Sequence, residues 1–103
     1  MTHDQLIATY IEQDPHRPGL DRARLSDSGI HVWILIADLQ TLLGPETEYA
    51  FAHGKYQGEL ATILQLAEDF DISPDEVLAA LAYYERHHPL IDARITTNTA
   101  SVT

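Results

Sequence analysis

At 103 residues, 45% of them hydrophobic, the chain can bury one modest core and is expected to form a single domain. It has no cysteine, which excludes disulfides, thiolate metal sites and cysteine nucleophiles together. Sixteen acidic residues against six basic give a net charge of −10, which opposes contact with phosphate backbones and suits either plain solubility or a basic protein partner. The longest apolar run, Val32–Ala37, is too short to span a bilayer, and no signal-peptide pattern opens the chain. A soluble, cytoplasmic protein is expected.

Thr2-His3-Asp4-Gln5 offers a capping box, and Leu6, Ile7, Tyr10 and Ile11 follow at helical spacing. A short helix over residues 3–12 is expected, with a strand as the alternative. Residues 14–21 hold two prolines and a glycine and read as a turn-rich connector. Ser26-Asp27-Ser28-Gly29 reads as a turn between Ala23–Leu25 and Ile30–Val32, which can serve as the arms of a small hairpin. From Val32 to Leu43 composition favours a strand at first. Over the full length, Val32, Ile36, Leu39 and Leu43 share one helical face before Gly44-Pro45, so helix wins.

Residues 44–58 form a longer gap than the usual 2–8 residues between helices. The segment has room for a short helix, on which Tyr49, Phe51 and Tyr56 would give an aromatic face for the bundle or a second subunit. Glu59–Phe70 is amphipathic, with Leu60, Ile63, Leu64 and Ala67 inward and Leu66 and Phe70 adjoining. The best-punctuated helix follows. Ser73 is its N-cap, Pro74 its first residue and Glu76 the partner in a capping box, while Ile72 and Val77 stand at staple positions. Val77, Leu78, Leu81 and Tyr84 form its apolar stripe, and Pro89 interrupts it. The core is expected to hold Val32, Trp33, Ile36, Leu39, Ile63, Leu66, Phe70, Val77, Leu81 and Tyr84. A further turn or two precedes an uncharged tail, 96–103, expected to fray.

The two helices Glu59–Phe70 and Pro74–His88 match the outline of a helix-turn-helix, a weak signal because any small bundle contains such pairs. Between them stand seven acids (Glu59, Glu68, Asp69, Asp71, Asp75, Glu76, Glu85) and one base, Arg86, a balance of −6. Base reading by the second helix would meet repulsion at most contacts. The six histidines show no metal-ligand spacing, and adjacent His87 and His88 point about 100° apart on a helix. No nucleophile motif or phosphate loop appears. No enzyme activity, metal or cofactor is expected. Tyr83 and Tyr84 are adjacent, so one is expected in the core and the other at its rim or in a dimer or partner contact. Tyr83, with His87 and His88 at the end of the helix, is a candidate partner or dimer contact.

The segment Leu66–Tyr84, with Glu68-Asp69-Phe70 and Ala79-Ala80-Leu81-Ala82-Tyr83-Tyr84, resembles the prokaryotic domain-of-unknown-function 433 family. Upstream, Leu25, Ile30, Val32 and Trp33 match its R-P-x-I-x-G-T-R-I-x-V-W motif in place or kind, and Ile91-Asp92-Ala93-Arg94 is similar downstream. The likeness covers residues 14–95. Two departures stand out: Asp27-Ser28-Gly29 replaces the family's Gly-Thr-Arg triplet, and 44–58 is longer than its link. The resemblance implies a homeodomain-like helix-turn-helix unit behind a small β element. It also implies a non-enzymatic, antitoxin-like domain, pairing as a homodimer and neutralising a PIN-type nuclease. DNA binding as a regulator, alone or with that partner, is the second expectation.

Overall fold

A computed structural model describes residues 2–16, 19–42 and 60–102. It is a small, mainly helical bundle with a short antiparallel strand pair near its N-terminus. The elements are α1 (His3–Tyr10), β1 (Ile11–Glu12), a 3-10 turn (Leu20–Arg22), β2 (Arg24–Leu25), α2 (Val32–Leu42), α3 (Leu60–Phe70) and α4 (Pro74–Val102).

The capping box at the start of α1 forms as a reciprocal pair. The Thr2 hydroxyl accepts from the Gln5 N–H at 3.2 Å, and Gln5 Oε1 accepts from the Thr2 N–H at 2.8 Å. The helix then stops at Tyr10, two residues short of expectation. Ile11 turns extended and pairs with Leu25, and Glu12 pairs with Arg24. A ladder partner fourteen positions away outweighs the helical periodicity, since strand preference depends on what a residue packs against.

The second arm of the expected hairpin is present as a single bridge, Arg24 to His31. Leu25 N–H donates to Ile30 O at 2.8 Å and Val32 N–H to Ala23 O at 3.0 Å, closing the turn. Gly29 within it has φ +77°, a left-handed conformation that costs any other residue more. At Val32 the chain passes straight from the bridge into α2. Val32, Leu35, Ile36 and Leu39 are buried there, so the helix reading of this run is the one the fold adopts.

On α3 the buried line is Ile63, Leu66 and Ala67, with Phe70 partly buried beside it. Leu64, expected inward, is 47% exposed because it lies off that line by about 100°. The turn into α4 is a Schellman motif. Ile72 N–H donates to Ala67 O at 2.9 Å and Asp71 N–H to Glu68 O at 3.2 Å, with Asp71 at φ +54°. Ser73 and Glu76 then make the second capping box: Glu76 N–H to Ser73 Oγ at 3.2 Å, Ser73 N–H to Glu76 Oε1 at 3.0 Å.

α4 is the central helix, packed against α1, α2, α3 and the 3-10 turn. Its buried residues are Val77, Ala79, Ala80, Ala82, Tyr83, Tyr84 and, beyond a kink at His87, Ile91. The core therefore includes residues not on the expected list, among them Leu25, Leu35, Tyr83 and Ile91, while Trp33, Phe70 and Leu81 are only partly buried at its edge. The helix is interrupted at His87, two residues before Pro89, as the proline predicts, and beyond it the segment expected as a fraying tail from Thr96 has helical backbone to Val102. Among the described residues no helix is long and apolar enough to cross a membrane.

Candidate interaction surface

The corner where α3 meets α4 is set by the two local motifs just described. The Schellman turn reverses the chain at Asp71, and the capping box starts α4 at once, so a three-residue turn (71–73) joins the helices. That arrangement leaves Glu68, Asp69, Asp71 and Asp75 exposed around one bend. Asp69 accepts from Gln65 Nε2 at 2.8 Å. Among the described residues none of the four carboxylates forms an ion pair. Glu76, by contrast, is 8% exposed and engaged with Ser73 through both hydroxyl and amide. The positive end of the α4 dipole is thus answered inside the chain, and Asp75 adds further negative charge there.

Three arginines among the described residues are committed elsewhere. Arg24 Nε stands 3.5 Å from Glu12 across the strand pair, Arg86 pairs with Asp4 of α1, and Arg94 Nη2 lies 2.9 Å from Asp21 of the 3-10 turn. His3 Nδ1 stands 3.6 Å from Glu85, so this approach and the Arg86–Asp4 ion pair both join α1 to α4. The three arginines thus pair with acids of the N-terminal segment (Asp4, Glu12 and Asp21), and the acids of the α3–α4 corner keep their field. Exposed charges act over about 8 Å at physiological salt, so these acids reach a partner only at close approach.

The tyrosine pair departs from expectation. Both rings are buried, Tyr83 to 4% exposure, because α4 is enclosed at that level by the 3-10 turn and α1 as well as by α2 and α3. Tyr83 is therefore a core residue and not an exposed partner contact. Its O–H donates to Leu20 O at 2.5 Å. Burial pushes its phenol up from the ordinary value; a Gln13 hydrogen bond works against this, and the Asp21 charge adds to it. Tyr84 O–H donates to Asp92 Oδ1 at 2.8 Å. His87 and His88 are half-buried against these rings, His87 with its centroid 4.6 Å from that of Tyr83 and His88 edge-on to Tyr84 at 6.2 Å. His88 Nδ1 also lies 3.9 Å from Asp92. Tyr49, Phe51 and Tyr56 lie outside the described residues.

One part-buried polar pair has no signature as a pair in the sequence. Asp14, 7% exposed, accepts from the His16 N–H at 2.9 Å and meets His31 Nε2 at 3.2 Å. The local half, an Asx turn at Asp14-Pro15, is written in the sequence; the histidine seventeen positions on is not. The pair ties the connector to the start of α2. Among the described residues no three metal-ligating side chains come together.

Compared with protein-family models, curated proteins and solved structures, the chain finds no significant match in any of the three.

Proposed function

We propose that this chain is a non-enzymatic, antitoxin-like interaction domain that works in the cytoplasm and binds a basic protein through the α3–α4 corner. The observation that carries it is the exposed set Glu68, Asp69, Asp71 and Asp75, unpaired with any cation among the described residues. Complementary charge steers a basic partner to such a corner and fixes its orientation. The likeness of residues 66–84 to the domain-of-unknown-function 433 family supports a PIN-type nuclease as that partner. The test is co-expression with the protein encoded beside it, read as a co-purifying complex and relief of growth arrest. Replacing Glu68, Asp71 and Asp75 together by lysine should abolish both. A complex that survives this reversal sinks the proposal, as does the lack of any complex with the unaltered chain.

A helix-turn-helix regulator is the second reading, favoured by the short turn between α3 and α4. The exposed N-terminal residues of α4 are Pro74 and Asp75, where a recognition helix would need donors for bases and phosphates. A low-salt mobility-shift assay on its own promoter, with and without partner, decides it; no shift in either case rejects it.

A further inference from the structure

We propose that α4 is a hinged helix, and that the Leu20–Arg22 turn is the latch that holds it bent. The hinge is visible in the backbone. His87 leaves helical geometry (φ −127°, ψ 26°), two residues before Pro89. Proline offers no N–H to the Glu85 carbonyl, and its ring crowds that carbonyl, so the helix loses a bond and gains a clash at this level.

The latch is visible in the side chains, because both sides of the break are tied to the same small turn. Before it, Tyr83 O–H donates to Leu20 O at 2.5 Å. After it, Arg94 reaches Asp21 Oδ2 through Nε at 3.1 Å and Nη2 at 2.9 Å. Residues eleven apart share one face of a helix and would be separated by about 16 Å along a straight axis. Two adjacent residues hold both only if the side chains lean together, and a bend towards the turn shortens that span. His87 itself packs on Tyr83, so the residue that absorbs the break touches one of the tethers.

Beyond the hinge the arm is anchored by fully buried Ile91, by partly buried Ile95, by the Arg94–Asp21 pair and by Asp92, which accepts from Tyr84 O–H across the joint. With one helical bond removed at the joint, the arm is able to open as a unit separate from Pro74–Arg86, at a free energy below that of global unfolding. Opening would uncover Ile91 and Ile95 next to already exposed Leu90.

Two measurements test this in the full chain. Since the sequence has no cysteine, spin labels at Asp75→Cys and Thr96→Cys report the distance across the hinge. Releasing the latch with Tyr83→Phe and Arg94→Met should broaden that distribution towards the straight-helix length. Amides of 90–95 should exchange about tenfold faster while those of 77–84 hold, as expected for loss of a charge-assisted pair. Swapping the pair, Asp21→Arg with Arg94→Asp, should restore both readings, which separates latch loss from general damage. Two results overturn the proposal. One is equal acceleration in 77–84 and 90–95. The other is a distance unchanged by latch release but lengthened by Pro89→Ala alone.

Discussion

Tyr83 shows how a single residue can be half legible. Its place on a helix follows from the cap at Ser73, but its hydrogen-bond acceptor, Leu20 O, is sixty-three positions away. The buried phenol resists ionisation, so its folded value lies above the ordinary one near 10. An unfolded chain loses that proton first as pH rises, which favours unfolding; the stabilisation is full below about pH 10 and is lost above it. Urea midpoints measured from pH 9 to 11.5 should therefore fall. In Tyr83→Phe the midpoint at pH 7 should be lower, because Leu20 O loses its donor, yet its decline above pH 10 should be shallower. An equally steep decline in the variant would show that Tyr83 does not carry the effect.

At the scale of elements, the α3–α4 turn combines one favourable and one unfavourable choice. Asp71 occupies the left-handed C′ position that glycine fills without cost. Asp71→Gly should stabilise the protein by about 1 kcal/mol, raising Tm by about 5 °C in a scanning melt. Ser73→Ala removes the hydroxyl that accepts from Glu76 N–H and should cost about 1 kcal/mol, lowering Tm by a similar amount. Caps and turns of this kind are short-range, and Ser73, Pro74 and Glu76 announce them in sequence. The end of α1 is different. Ile11 continues the helical pattern of Leu6 and Ile7 and leaves it only because β2 is there to pair with it.

Across the whole molecule, α4 is what the other elements share, and Ile91 is the point where its second half returns to the core. Truncation there should cost between about 2 and 5 kcal/mol, a large part of the total for a domain of this size. Urea unfolding of Ile91→Ala, followed by Trp33 fluorescence, measures it; a loss below about 1 kcal/mol would mean that the arm contributes little to the core. The sequence by itself determined the helical class, the positions of α2 and α3, both capping boxes and the negative balance of the α3–α4 corner. Those follow from periodicity, side-chain chemistry within a few residues, and charge counts. Tertiary contacts decided that Ile11–Glu12 is a strand, that both tyrosines are buried, that Asp14 meets His31, and that the helix beyond the break at His87 runs on to Val102. Each of these depends on a partner brought close by folding from far along the chain, or on packing strong enough to override local pattern.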